Sequence, residues 1–304
     1  MGIAFGLGAA LSWGLADYFA AVASRRIGAL RVVLGFHLVA LIPLTVLVLV
    51  TDALARVNLA EVSVLVAVGA VGWLSYLAFY GALAIGPISV LSPIVSGYAA
   101  VTVLLAVLFA GSRLSAWQAV AVSITIGGAM LASADVREIV RAQLQPRSTL
   151  GLVLALCAMA LLGGFVFGVS YYRQRIGWLA PIFLARAFAT LFLLGHVLAS
   201  GARPSPRRAE PPGLGEDGAM APGGRRGRLV SIIVLLALVD TGGYVCFNLG
   251  VGHSATAIVA AASAPYALVP IVMGVSVLRE RPTPAQWLGV ACVVAGVIVL
   301  GAVT

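Results

Sequence analysis

Lysine is absent from all 304 residues, and charged residues of every kind supply only 10% of the chain, against about 25% in soluble domains. A solvated surface cannot be built from so little charge. With 62% hydrophobic residues, the chain reads as an integral membrane protein. Cysteine is also scarce: Cys157, Cys246 and Cys292 lie in apolar runs without CxxC or Cys/His spacing, so neither a disulfide framework nor a zinc site is supported. His37, His196 and His253 are scattered and form no HExxH or paired His/Asp set for hydrolytic chemistry. No GxxxxGK[ST] occurs, which argues against self-contained ATP-driven transport. No cofactor and no metal are expected. The 19 basic residues are all arginine and leave a net charge of +9. Since nearly all fall outside the apolar stretches, they read as arginines flanking membrane spans rather than as a nucleic-acid surface.

A bilayer core about 30 Å thick needs roughly 20 apolar residues in a helix to cross it. Ten stretches qualify: 2–23, 30–51, 62–84, 88–110, 115–133, 150–171, 178–199, 229–251, 255–278 and 284–303. The first has no basic residue ahead of its apolar region and is followed by Arg25, Arg26 and Arg31, so it reads as a retained helix rather than a cleaved signal. Residues 200–228 hold six arginines, three acids, five prolines and seven glycines, a composition expected to form a disordered linker. Loops after the odd-numbered spans carry fourteen arginines, and the opposite side only Arg56, Arg113, Arg173 and Arg175. By the positive-inside rule the arginine-rich loop faces the cytoplasm and both termini lie outside.

The chain also repeats itself. An offset of 168 aligns Tyr76 with Tyr244, Phe79 with Phe247, Tyr98 with Tyr266, Arg113 with Arg281, Gln118 with Gln286 and Gly128 with Gly296. Nearer the start of each half, Arg26-Ile27-Gly28 matches Arg175-Ile176-Gly177 at an offset of 149, as Gly14 matches Gly163. The two offsets differ by 19, which the long linker of the second half absorbs. Residues 1–133 and 150–304 are therefore read as two repeats of five spans, joined by 134–149. Homologous units with an odd number of spans must lie oppositely in the membrane, an architecture that recurs in secondary transporters. The expected fold is an all-α membrane protein of ten transmembrane helices in two inverted five-helix repeats.

At this point the sequence resembles the EamA family of the drug/metabolite transporter superfamily. Trp13-Gly14 sits where that family has a Trp-Gly in span 1. Glu280-Arg281, then Gln286-Trp287-Leu288-Gly289 and Gly296, resemble its pattern between spans 9 and 10, and Arg186 matches an arginine common in the second span of each repeat. In the first repeat Ser112 and His37 replace the corresponding glutamate and arginine. The resemblance implies transport of a small molecule in a bacterial inner (plasma) membrane and leaves the cargo open.

Ionisable groups within a span cost about 2.5–3.5 kcal/mol on insertion scales, so each is a functional candidate. Asp17 lies one turn after Trp13. A carboxylate out of water can exchange a proton during a transport cycle; the alternative is a structural pair with Arg25 or Arg26. Asp240, Tyr244 and Asn248 are spaced by four and form a polar stripe that should face protein or water rather than lipid, as cavity lining or as interhelical glue. Tyr76 and Tyr80 occupy the matching places for Tyr244 and Asn248. Arg186 must find an anion: Asp240, or a substrate carboxylate or phosphate. His37 is read as a cavity group, a titrating switch or a satisfied core histidine. Spans 4 and 9 carry small polar faces with a proline and a tyrosine each: Ser89, Ser92, Pro93, Ser96 and Tyr98, then Thr256, Ser263, Pro265 and Tyr266. They suit an opened backbone beside a cavity or tight helix packing.

The expected substrate-binding set is thus Trp13, His37, Tyr76, Tyr80, Tyr98, Arg186, Asp240, Tyr244, Asn248 and Tyr266, with Asp17 as the proton-coupling group. The expected function is secondary active export of a small polar or amphipathic metabolite by a monomer or homodimer. A lipid flippase or scramblase on the same repeat is the main alternative, and an intramembrane enzyme a lesser one.

Overall fold

The computed structural model describes residues 1–85, 94–133, 148–199, 222–269 and 283–302. Among them are ten α-helices: α1 (Gly2–Ile27), α2 (Ala29–Thr51), α3 (Leu59–Ile85), α4 (Tyr98–Phe109), α5 (Ala116–Ser133), α6 (Ser148–Ile176), α7 (Leu179–Ala199), α8 (Pro222–Val251), α9 (Thr256–Ser263) and α10 (Pro284–Ala302), with a 3₁₀ turn at Ala264–Ala267 after α9. Six of them, α1, α2, α3, α6, α7 and α8, are long and apolar enough to cross a bilayer. The shorter α4 and α9 adjoin residues 86–93 and 270–282, which lie outside the described set; Ser89, Ser92, Pro93 and the Arg279–Pro282 motif fall there. So do residues 200–221, most of the expected linker. Its last residues are helical, because α8 starts at Pro222 rather than at 229. Proline suits the first position of a helix, where the missing N–H has no helical partner to lose.

The outer shell is apolar. Leu49, Val50, Leu59, Leu108, Trp117 and Leu198 are exposed, a surface suited to lipid and not to water. Small residues fill the interior and let the helices approach closely, the packing rule of membrane bundles. α1 lies along α8 and α3 along α6; α5 lies along α10, and α4 meets both α6 and α9.

Local structure follows the sequence offsets. Gly28 joins α1 to α2 at φ 87°, and Gly177 joins α6 to α7 at φ 83°, a backbone region that favours glycine. Ser115 and Gln118 cap α5 reciprocally: the Ser115 N–H donates to Gln118 Oε1 at 2.9 Å and the Gln118 N–H to Ser115 Oγ at 3.2 Å. Thr283 and Gln286 do the same for α10, at 2.8 and 3.3 Å. These are capping boxes, and they give the repeated glutamine a structural role. Packing follows the same offsets. Gly14 faces Val269 and the Tyr266 carbonyl, while Gly163 faces Val101 and the Tyr98 carbonyl.

Among the described residues, the α5–α10 contact is the tightest backbone approach at a glycine. A Cβ on Gly289 would lie 2.3 Å from the backbone nitrogen of Ala132, and one on Gly128 would lie 2.8 Å from that of Val293. Gly289→Ala should therefore force the helices apart and cost about 1–3 kcal/mol. Gly127→Ala, which meets nothing within 4 Å, should be neutral or slightly stabilising in the same thermal or denaturant unfolding experiment. Equal behaviour of the two variants would show that the contact is not close.

Candidate functional site

On α1, Ala4, Leu7 and Leu11 are exposed, whereas Gly6, Ala10, Trp13, Ala16 and Ala20 are buried. The 3.6-residue period thus separates a lipid face from an inner face. Asp17, one turn beyond Trp13, is on the inner face and is nonetheless half-buried rather than buried, so its accessible part looks into the bundle. The Trp13 indole fits because α8 carries a glycine opposite: a Cβ on Gly243 would lie 2.4 Å from Trp13 Nε1.

From Trp13 an aromatic wall runs across the centre. Trp13 meets Tyr98 edge-on with ring centroids 6.1 Å apart, and Tyr244 at 5.1 Å. Tyr98 continues to Tyr266 at 5.6 Å, and the Tyr98 hydroxyl and Ser263 Oγ are 3.3 Å apart. Tyr244 and Tyr76 are electrostatic neighbours. Tyr76 then packs against His37 at 4.9 Å and Phe36 at 6.0 Å. Both tyrosine pairs, Tyr76 with Tyr244 and Tyr98 with Tyr266, join residues related by the offset of 168.

A charged group lies beside this wall. The buried Arg186 donates from Nη2 to Asp240 Oδ2, linking α7 to α8. Its guanidinium also lies 5.3 Å from the Tyr244 ring centre and 5.9 Å from that of Phe36, within cation–π range. Of the two sequence readings for Arg186, the Asp240 partner is the one formed. His37 is also buried, with Nδ1 3.1 Å from Thr190 Oγ1. Because the Thr190 hydroxyl donates to the Arg186 carbonyl at 2.7 Å, its single proton is engaged and Nδ1–H of His37 must be the donor. In the neutral ring Nε2 is then an acceptor, and it has no partner among the described residues. Asn248, fully buried, donates from Nδ2 to the Tyr244 carbonyl at 3.0 Å, leaving Oδ1 without a partner among the described residues.

Most of the expected set is therefore assembled: Trp13, His37, Tyr76, Tyr98, Arg186, Asp240, Tyr244 and Tyr266 form one cluster, to which α4 contributes its first residue and the 3₁₀ turn contributes Tyr266, with Asn248 a turn beyond Tyr244. Asp17 belongs with it, in electrostatic range of Asp240, Tyr76, Tyr98 and Tyr266. Tyr80 is on α3, but its side chain, like those of Arg25 and Arg26, lies outside the described set. His196 packs near Trp73, and His253 stacks on Phe5, both away from the cluster. Sequence reasoning missed Thr190, Phe36 and Gly243. Thr190 was findable, four residues after Arg186 on the same helix face.

An apolar bundle with a charged and aromatic centre admits several activities, so comparison with known proteins decides the family. The chain matches the EamA-like transporter family over residues 1–134 and 149–302. It belongs to that family. The two matched parts coincide with the two halves related by the sequence offsets, and the EamA-like fold accounts for the multi-pass, all-helical architecture. A solved crystal structure resembles it with a TM-score of 0.73 and 15% identity, over 99% of this chain and 96% of that one, a likeness of fold. No curated protein matches.

Proposed function

We propose that this EamA-like transporter is a secondary active transporter for a small polar or amphipathic metabolite, working by alternating access between two inverted five-helix repeats, with Asp17 carrying the coupling proton. The observation that carries the reading is the reciprocal packing. The partners of Gly14 in and just after the 3₁₀ turn, Tyr266 and Val269, and the partners of Gly163 on α4, Tyr98 and Val101, are related by the same offset of 168, so each half supports the other in matching ways. Two such halves can exchange conformations and turn a central site from one face to the other. The aromatic and charged cluster lies where the halves meet, the expected position for substrate near the bilayer midplane. Export rests on the family resemblance alone.

Orientation follows the arginines. In a variant lacking Cys157, Cys246 and Cys292, a cysteine at Ser115 should react with an impermeant thiol reagent from outside and one at Ser205 from the cytoplasm. The reverse pattern would invert the proposed topology.

The site is tested by ligand-induced thermal stabilisation of the purified protein against fractionated metabolites, because binding to the folded state raises apparent stability by mass action. A ligand found in this way should be transported in proteoliposomes. Tyr244→Phe should weaken its binding about fivefold, the loss of about one hydrogen bond at ~1 kcal/mol. A ligand whose binding is indifferent to Tyr244→Phe, Tyr98→Phe and Asn248→Ala would place the site elsewhere.

A further inference from the structure

At the mouth of the bundle where α4 and α8 end and α9 begins lies a cavity of about 250 Å³. By liquid volume that is room for about eight waters, or for a phosphate or a short organic acid. One wall is the turn after α4. Gly111, at φ 64°, reverses the chain, and the Ser112 N–H donates back to the Ala106 carbonyl at 3.1 Å, which sets Ser112 and Arg113 in the cavity wall. The opposite wall is the link from α8 to α9, with Ser254, Ala255 and Thr256.

The chemistry of this lining favours one sign of charge. It holds the Arg113 guanidinium and three hydroxyl side chains, and no acidic residue. Hydroxyls serve either sign, but the planar guanidinium fork matches the paired oxygens of a carboxylate or phosphate. α9 starts here with Ala255 as its N-cap and no side-chain cap, and the positive end of a helix also favours an anion. A second guanidinium stands behind the wall, since Arg173 occupies the space that a side chain at position 252 would need. The repeat explains why the charge of Arg113 is unanswered: the offset of 168 relates Ser112-Arg113 to Glu280-Arg281. Where the second half sets a carboxylate beside its arginine, the first has a serine, which removes a negative charge and adds a hydroxyl donor.

We propose that this cavity is a binding site for a small oxyanion, a carboxylate or phosphate group held by Arg113 with the Ser112, Ser254 and Thr256 hydroxyls around it. The site stands apart from the central cluster. Thr256 begins α9 and Ser263 ends it beside Tyr98, and at 1.5 Å per residue the two are about 10 Å apart along the helix. An anion at this mouth is therefore bound whether or not the central cluster is the transport site.

The test is equilibrium binding of radiolabelled inorganic phosphate to the full-length protein in nanodiscs of zwitterionic lipid at low ionic strength, where both faces are accessible. Acetate should displace the phosphate and ethylammonium should not. Arg113→Gln should weaken binding about tenfold or more, through loss of a charge-assisted contact. Ser112→Glu, which restores the carboxylate of the second repeat, should do the same, while Arg113→Lys, which keeps the charge without the fork, should stay within about fivefold of the original. Both positions lie at the protein surface, and unchanged thermal midpoints would show that the variants fold. Displacement by glycerol phosphate at lower concentration than by dihexanoyl phosphatidylglycerol would identify a soluble anion as the occupant, and the reverse order a lipid headgroup. Binding that persists undiminished in both Arg113→Gln and Ser112→Glu would belong elsewhere on this arginine-rich chain and would overturn the proposal, as would the absence of saturable binding or equal displacement by ethylammonium.

Discussion

Asp17→Asn is expected to abolish gradient-driven accumulation of substrate in proteoliposomes and to flatten the pH dependence of transport, while the variant still inserts and folds. The asparagine amide matches the carboxylate in size and hydrogen-bonds, but it cannot take up or release a proton. Exchange of substrate at equal concentrations across the membrane needs only the conformational cycle, so it should survive. Asp17 is suited to the role because it looks into the bundle without a partner among the described residues, whereas Asp240 is committed to Arg186. Undiminished accumulation with an unchanged pH profile would make Asp17 a structural residue.

The second large effect concerns stability. Asp240→Leu leaves the Arg186 guanidinium buried without its anion, and removing one partner of a buried ion pair typically costs about 3–5 kcal/mol. Thr190 would not compensate, since its hydroxyl donates to the Arg186 carbonyl and offers the guanidinium nothing. Arg186→Met combined with Asp240→Leu should recover most of the loss, because apolar replacement of both partners is often neutral or stabilising. Unfolding midpoints of the two single variants and the double variant, measured in one detergent, give the coupling energy. Simple additivity of the single losses would mean that the pair makes no such contribution.

Much of this architecture was legible before the fold. The repeated Arg-Ile-Gly and the two glutamines at one offset take the same turn and the same cap in each half, because turns and caps require particular side chains at fixed positions. The ionisable residues were legible by their rarity in apolar runs. Orientation about the helix axis was less so: spacing alone left Arg186 free to meet Asp240 or substrate, and the ion pair with Asp240 is seen only once the fold brings α7 and α8 together. Trp13 could be named, but not the glycine that makes room for its ring, since Gly243 looks like any small residue of a membrane helix. The start of α8 was hidden for a different reason. A Pro-Gly-Gly-Arg-Arg-Gly-Arg stretch reads as coil from composition, and the helix nevertheless runs back through it to Pro222.

The central claim is that one site opens alternately to the two faces of the membrane. It is tested most directly by placing a single cysteine at position 17, in a variant lacking Cys157, Cys246 and Cys292, and exposing right-side-out and inside-out vesicles separately to a small, charged, impermeant methanethiosulfonate reagent. Alternating access predicts that Cys at this position is modified in both preparations while the reagent itself does not enter the lumen of either. Modification from one face only, or passage of the reagent across the membrane, would contradict it.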